Sequence, residues 1–194
     1  MKILYGILIF LVAIFAALAI YLGQYGLFAT VKAGEVEKPA YWLAYKVHKG
    51  DYRLSGQVMD EVYNSLLNDH QIETTKGFGL YFDNPQEVST DQLRSVVGCI
   101  IENEQQALQL SLNSDLSVAQ FPASKVVQAT FPYRGEPSIA LGIFKVYPVL
   151  MTEIYEKKYD MKPIMEIYDQ PNEVIEYSMS LDIDTGWFEQ LIAQ

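Results

Sequence analysis

Twenty consecutive residues near the N-terminus, residues 3–22, contain neither a charged side chain nor a proline. An α-helix rises about 1.5 Å per residue, so this stretch would be roughly 30 Å long, which is the thickness of the hydrocarbon core of a bilayer. Tyr5, Tyr21 and Tyr25 lie near its two ends, where aromatic residues are typical of the membrane interface. The sequence therefore predicts a transmembrane anchor over residues 1–23, with the bilayer as the partner of residues 3–22.

A cleaved signal peptide is the alternative to an anchor. An Ala-Leu-Ala sequence at residues 17–19 resembles a cleavage site, and Lys2 supplies a minimal charged start. The apolar run continues past that site and exceeds the roughly 7–15 apolar residues of a signal peptide, which favours the anchor. Because Lys32 and Lys38 follow the run, the positive charges do not decide the side of the membrane. Residues 24–40 have no sustained period and predict a tether.

The composition argues against several classes of function. With 24 acidic residues against 14 basic ones, the formal charge is −10, which repels phosphate backbones and excludes nucleic acid as an expected partner. The single cysteine, Cys99, lies in an apolar run and predicts a buried side chain rather than a reactive thiol. Two histidines and one cysteine argue against a zinc site, and no motif indicates another cofactor, so we expect none.

After the tether, the chain repeats one order of elements: strand, helix, strand, strand. Alternating apolar and β-branched residues predict the strands, and apolar stripes with a helical period predict the helices. The first unit comprises residues 41–48, 56–68, 78–82 and 95–101, and the second comprises residues 125–131, 138–159, 163–168 and 174–181. The polar residues 102–117 are expected to connect the two units.

Turn motifs repeat together with the elements. A basic residue and a glycine precede each helix, with Gly50 and Gly135 separated by 85 positions. An Asp-x-Pro turn follows the third element of each unit, with Pro85 and Pro171 separated by 86 positions. Two β-α-β-β units can cover each other's exposed strand edges. The sequence thus predicts an α+β fold over residues 41–182, in which duplicated β-α-β-β units with pseudo-twofold symmetry enclose a central groove.

Alternation along the late strands selects candidate ligand-binding residues for that groove. Glu166 and Tyr168 share one face of their strand, and Glu176 points away from the apolar face of the last strand. If helices cover the other side of the sheet, all three residues face the groove. Leu80 and Phe82 are their counterparts in the first unit and are expected to form an apolar wall. Carboxylates beside aromatic rings favour a cationic ligand, whereas a solvated sheet face is the alternative interpretation.

Four segments of the chain carry a family resemblance: AYKVHKGDY (44–52), YFDNP (81–85), VVQATFPY (126–133) and PIMEIY (163–168). In this order they resemble the testis-expressed protein 264 family, a membrane-anchored branch of the GyrI-like, SOUL-like effector-binding fold. The resemblance implies a duplicated β-α-β-β fold with a central groove. In multidrug-binding relatives, it implies that glutamates of the late strands contact cationic drugs, and Glu166 and Glu176 occupy the matching positions here. Some GyrI-like relatives are small-molecule hydrolases.

The C-terminal tail, residues 183–194, contains a second candidate site. Phe188 and Leu191 fit the short pattern of an aromatic residue three positions before an aliphatic one. The resemblance implies that such a pattern binds autophagy partners. The same residues also fit the end of an amphipathic helix that packs on the domain, and this interpretation is favoured because so short a pattern arises often by chance.

Three functions are therefore carried forward. We expect a membrane-tethered binding module for a small apolar or cationic ligand, rather than an enzyme. An adaptor or turnover receptor that acts through protein contacts is the first alternative, with Phe188 and Leu191 as its candidate residues. A hydrolase that uses Glu166 or Glu176 as a general base is the second.

Overall fold

The computed structural model describes residues 2–193. Helix α1, Lys2–Gln24, occupies the apolar N-terminal stretch, and none of its apolar window is buried by other parts of the described chain. Two helices in this part of the chain are long and apolar enough to cross a membrane: α1, and α4 at Glu136–Glu156, which is partly buried. A signal sequence would meet the same criteria as α1. The helix at the predicted place is confirmed, and its role in a membrane stays a prediction.

Strand β1, Ala33–Lys38, lies within the segment that was expected to be a tether. It pairs antiparallel with β6, Ser124–Pro132, over its whole length and forms one edge of the sheet. Edge strands often carry charged residues, since charge discourages pairing with another chain. Glu35 and Glu37 supply that charge in β1 and conceal its strand pattern. The expectation of an irregular tether was therefore wrong for residues 33–38.

The first predicted unit lies close to its expected bounds. It consists of β2 (Tyr41–Lys49), α2 (Ser55–His70), β3 (Lys76–Tyr81) and β4 (Arg94–Ile101). The second unit begins with β6 and α4 and continues with β7 (Ile164–Asp169) and β8 (Val174–Ser180). A short helix, α5 (Thr185–Ile192), follows β8. The predicted order of elements in both units is therefore present.

The segment between the units is not a simple connector. It contains a helix, α3 (Glu104–Asn113), and a strand, β5 (Ser117–Phe121), that pairs with β2. The side chain of Asn103 caps α3 by accepting a hydrogen bond from the first turn at 3.1 Å. Because α3 buries only Ala107 and Leu110, its apolar stripe is too short to predict a helix from the sequence.

All eight strands form one antiparallel sheet that curls into a half-barrel, in the order β1-β6-β8-β7-β3-β4-β2-β5. The two units meet at its centre, where β3 pairs with β7 and Phe78 lies opposite Ile167. From this centre outward, the order is β3-β4-β2 in the first unit and β7-β8-β6 in the second. Two units related by a twofold axis would produce this order. The α+β fold is confirmed, and the symmetry of the units stays a prediction.

Helices cover the two faces of the sheet unequally. α2, α3 and α4 cover one face, which we call the helix face. Cys99 lies on this face and is 2 % exposed, as expected for a buried cysteine, and burial raises the pKa of its thiol to about 12. The opposite face, which we call the α5 face, is covered in part by α5. Two separate apolar layers therefore lie on the two sides of the same strands.

Candidate functional site

Glu166 lies in the middle of β7 and points toward the helix face. Its neighbours across the sheet are Gly79 in β3 and Tyr177 in β8. Ile164 and Tyr168 share its strand face and pack in the apolar layer beneath α4. Only 2 % of Glu166 is exposed. The fold thus places a carboxyl group in the interior of the protein, between the central strands and a helix.

Two tyrosine hydroxyls donate hydrogen bonds to this buried carboxyl. Tyr147 Oη, from α4, lies 2.7 Å from Glu166 Oε1, and Tyr168 Oη lies 2.6 Å from Oε2. Within the described part of the chain, no lysine, arginine or histidine forms an ion pair with Glu166. Burial raises the pKa of Glu166, and the two hydroxyl donors oppose that rise.

Two further tyrosines lie within the electrostatic reach of the same carboxyl. Tyr81 Oη is 3.1 Å from Ser55 Oγ at the start of α2, and Tyr177 Oη is buried without a hydrogen-bond partner among the described residues. Burial and the negative charge of Glu166 together raise the pKa of all four tyrosines. We call this group the tyrosine–glutamate cluster; its members are Tyr81, Tyr147, Glu166, Tyr168 and Tyr177.

Glycines give the cluster the space that it occupies. Gly79 lies opposite Glu166, and a Cβ atom at this position would be 2.6 Å from Tyr81 Oη. Gly142, in α4, lies against the hydroxyl of Tyr177 in the same way. Bare backbone at these two positions therefore allows large polar rings to fill the space between helix and sheet.

Glu176 does not join Glu166, contrary to the expected common groove. It pairs across the sheet with Ile167, so its side chain points to the α5 face. There it accepts a hydrogen bond from Lys38 at 2.5 Å. The alternation within each strand was assigned correctly, but the phase between neighbouring strands was not. A shift of one residue in pairing moves a side chain to the other face, and the sequence of one strand does not set that shift.

Leu80 and Phe82 do not form a wall of the Glu166 site either. Leu80 pairs with Met165 and packs in the apolar layer on the α5 face, and Phe82 packs against the same layer. Leu80 was expected to be the counterpart of Glu166 in the first unit. In the sheet, the residue beside Glu166 is Gly79, one position earlier. An error of one position reverses the strand face.

Phe188 and Leu191 are buried on the α5 face, at 1 % and 2 % exposure. Phe188 and its neighbour Trp187 both form edge-to-face contacts with Phe121 of β5, at centroid distances of 6.4 and 5.2 Å. Asp184 caps the start of α5 by accepting a hydrogen bond from a backbone N–H at 2.8 Å. The packed helix, rather than an accessible partner-binding motif, is therefore the arrangement observed.

Glu176 lines a cleft on the α5 face with a volume of about 480 Å³. Two lysines enter this cleft: Lys38 pairs with Glu176, and Lys76 lies 3.6 Å from Asp169. The ring of Tyr41 forms part of the wall and stacks on Phe121. Glu176 and Asp169 in the cleft thus each have a lysine partner, whereas Glu166, on the opposite side of the sheet, forms no ion pair within the described residues.

Sequence reasoning missed three members of the cluster, namely Tyr81, Tyr147 and Tyr177. Tyr177 was assigned correctly to the side of its strand that faces the helix, and Glu166 pairs with it in the sheet. Knowledge of that register would have placed Glu166 under the helix as well. Tyr147 follows Val146 of the apolar stripe of α4, so it lies at the border of the buried side of that helix.

Comparison with known families gives a match over most of the chain. Residues 35–181 match the sequence model described as the GyrI-like small molecule binding domain. The chain is 33 % identical to the testis-expressed protein 264 homolog of Mus musculus over 147 residues, and 33 % identical to testis-expressed protein 264 of Homo sapiens over 156 residues. These matches cover 73 % and 76 % of this chain, but only 46 % and 48 % of the two relatives. The chain thus corresponds to about half of the length of either relative.

Solved structures show the same fold at low sequence identity. The C-terminal domain of EcmrR has a TM-score of 0.54 at 13 % identity, and the similarity covers 79 % of this chain and 99 % of that domain. EcmrR in a complex with DNA has a TM-score of 0.53 at 11 % identity, covering 91 % of this chain and 68 % of EcmrR. At these identities the similarity establishes the architecture alone.

Proposed function

This chain belongs to the GyrI-like family of small-molecule-binding domains, and we propose that it binds a small organic cation at Glu166. The observation that supports this proposal is a buried carboxyl group without a cationic partner in the described chain. A buried carboxylate is costly to ionise unless a positive charge compensates it. A cation that reaches Glu166 would provide that compensation in a region of low dielectric constant, where the attraction is strong.

The tyrosine rings favour an organic cation over a simple ion. Four aromatic rings surround one carboxyl group, and aromatic faces attract delocalised or quaternary cations. Within the described residues, no group of three acidic, histidine or cysteine side chains could hold a metal ion. The ligand class proposed here is therefore a small, partly apolar cation whose charge meets Glu166 and whose body contacts the rings.

Binding requires the cluster to open. Only 2 % of Glu166 is exposed and tyrosine hydroxyls bond to both of its oxygens, so a ligand reaches the carboxyl group only if these covering side chains move. Tyr147 belongs to α4 and Tyr168 to β7, so displacement of Tyr147 separates the helix from the sheet locally.

Two probes of the same shape and opposite charge test this proposal. Tetraphenylphosphonium and tetraphenylborate can be titrated into the protein at about 1 M sodium chloride, where the screening length is about 3 Å. Such salt suppresses attraction to the acidic surface but not to a buried carboxylate. We expect the cation to bind at least about tenfold more tightly than the anion, a difference of about 1.4 kcal/mol. Equal affinities at high salt would overturn the proposal.

We further infer that α1 anchors the domain to a membrane. The proposal is supported by a candidate membrane-spanning segment of 22 residues, Ile3–Gln24, whose apolar window is not buried by other described parts of the chain. Lipid would bury this surface. The intact mass of the chain isolated from membranes distinguishes a retained anchor from a cleaved signal sequence. A retained N-terminus supports the anchor, and a loss of the first 19 or so residues supports a cleaved signal sequence.

A further inference from the structure

The C-terminal end of α1 is fastened to the domain by side chains of the second unit. Lys145 Nζ, from α4, donates hydrogen bonds to the carbonyl oxygens of Leu27 and Ala29 at 2.5 and 2.7 Å. The guanidinium of Arg134 donates to the carbonyl oxygen of Gln24 at 3.0 Å. We call residues 24–29 the elbow. The carbonyl of Gln24 is one of those that the end of α1 leaves without a partner, and the carbonyls of Leu27 and Ala29 belong to the segment that follows the helix.

The elbow is also closely packed. Gly26 adopts a φ of +103°, and a Cβ atom there would be 2.7 Å from the ring of Phe131 in β6. A Cβ atom at Gly23 would be 3.0 Å from the ring of Phe28, so this ring lies against the end of α1. Hydrogen bonds and close contacts together fix the direction in which α1 leaves the domain.

Two exposed phenylalanine side chains lie at the elbow. Phe28, within it, is 72 % exposed, and Phe144 of α4, next to Lys145, is 79 % exposed. Between Glu136 and Glu153, the only charged residue of α4 is Lys145, whose ammonium group is directed to the elbow. We call Phe28 and Phe144 the elbow patch. The ring of Phe28 lies against the end of α1, and Phe144 is adjacent in the chain to Lys145, which bonds to the elbow.

We propose that the elbow patch contacts the lipid bilayer from which α1 emerges. This inference rests on the proposed membrane anchor, because an α1 that spans the bilayer ends at the membrane surface together with the elbow. The part of α4 around Lys145 touches the elbow and therefore lies at the same depth. Phenylalanine side chains on an uncharged helix face partition into the interface between lipid headgroups and acyl chains.

The partner that fits this surface is a zwitterionic lipid surface. The chain carries a formal charge of −10, which disfavours close approach to anionic headgroups. The elbow patch lacks charge, so it contacts neutral lipid without that repulsion. The bilayer contact also holds α4 against the membrane, and α4 carries Tyr147, which bonds to Glu166. The proposed ligand site consequently keeps a constant distance from the lipid surface.

A spin label at position 144 tests this contact in the full chain. The chain has one cysteine, so Cys99→Ala provides a background for Phe144→Cys, and Leu112→Cys provides the control. Leu112 is also an exposed apolar residue on a helix, at 81 % exposure, but it lies on α3, away from the elbow. Each labelled chain is reconstituted into phosphatidylcholine vesicles. Collisions with oxygen, which concentrates in lipid, and with a water-soluble nickel chelate are then measured.

We expect a higher ratio of oxygen to nickel collisions at position 144 than at position 112. A label at position 28, introduced by Phe28→Cys, should give the same result, and it replaces position 144 if that variant does not fold. If vesicles float with the chain but the labels at positions 28 and 144 are aqueous, the patch proposal fails and the anchor stands. If the chain does not float with the vesicles, both the membrane anchor and the patch contact are wrong. If the collision ratio is typical of lipid at every labelled position, including 112, the contact is not specific to the elbow patch.

Discussion

The hydroxyl of Tyr147 donates a hydrogen bond to the carboxylate of Glu166 at 2.7 Å and so joins α4 to the central strand β7. This bond crosses the boundary between helix and sheet inside an apolar layer. A ligand that takes the place of the Tyr147 hydroxyl must therefore disturb the packing of α4 on the sheet. The binding proposal and the stability of the fold depend on the same contact.

Replacement of Tyr147 by phenylalanine should destabilise the protein, because it removes one of the two donors to a buried carboxylate. The expected loss is about 1–3 kcal/mol of unfolding free energy, measured by urea denaturation. Tyr155→Phe is the matched control, since Tyr155 lies on the same helix with 67 % of its surface exposed. The role assigned to Tyr147 would be wrong if the two variants were equally stable.

The contribution of Glu166 to the free energy of unfolding should decrease as the pH rises. Burial raises the pKa of Glu166 above its ordinary value of 4.5. The folded state therefore holds the proton more tightly than the unfolded state. The resulting stabilisation is fully present below the ordinary pKa and is lost as the pH rises through the raised value.

Glu166→Gln isolates this contribution from the rest of the protein. Urea denaturation of both proteins across the pH range gives the stability of wild type minus that of the variant. We expect this difference to decrease with increasing pH, since glutamine does not ionise. A difference that stayed constant, or that increased with pH, would show that the Glu166 pKa is not raised in the folded protein.

Gly79→Ala should disturb the cluster by overfilling it. The added Cβ atom would lie 2.6 Å from Tyr81 Oη, which bonds to Ser55 at the start of α2. We expect a destabilisation of about 1–3 kcal/mol, observed as a lower denaturation midpoint, and weaker binding of the cationic probe. Gly34→Ala is the control, since Gly34 also lies in a strand but no atom lies within 4 Å of its added Cβ. Similar midpoints for both variants would refute the close packing proposed for Gly79.

Phe188→Ala tests whether α5 belongs to the folded core. Phe188 is 1 % exposed and contacts Phe121, so its truncation should cost about 3–5 kcal/mol of unfolding free energy. Leu112→Ala, at an exposed position on α3, should change stability by no more than about 0.5 kcal/mol. A stable Phe188→Ala variant would instead indicate a tail that is free to bind a partner, as the short tail motif suggested.

The sequence predicts those elements whose apolar pattern is long. The helix stripes of α2 and α4 and the alternation in β2, β6 and β8 were sufficient to predict two β-α-β-β units. β1 and α3 were missed for a physical reason: β1 is a charged edge strand, and α3 buries only two side chains, so neither shows a sustained pattern. Tertiary contacts, rather than local periodicity, hold these elements in place.

The candidate site was harder to predict than the fold. Glu166 and Tyr168 were selected, and they do share one strand face and one hydrogen bond. Their placement relative to Glu176 depends on the register between β7 and β8, which is set by pairing across the whole sheet. Tyr147 reaches the site from α4, and no feature of its local sequence marks it as a partner of a carboxylate. The ligand-binding roles of all these residues remain predictions.

The central claim is that Glu166, rather than the acidic surface as a whole, binds the cation. Glu166→Gln and Glu176→Gln each remove one negative charge from opposite faces of the same sheet, so the overall field of the protein changes equally. Titration of both variants with tetraphenylphosphonium by calorimetry compares them directly. We predict a loss of at least about tenfold in affinity for Glu166→Gln and a change within about twofold for Glu176→Gln. Affinity that survives in Glu166→Gln, or that is lost only in Glu176→Gln, would contradict the account.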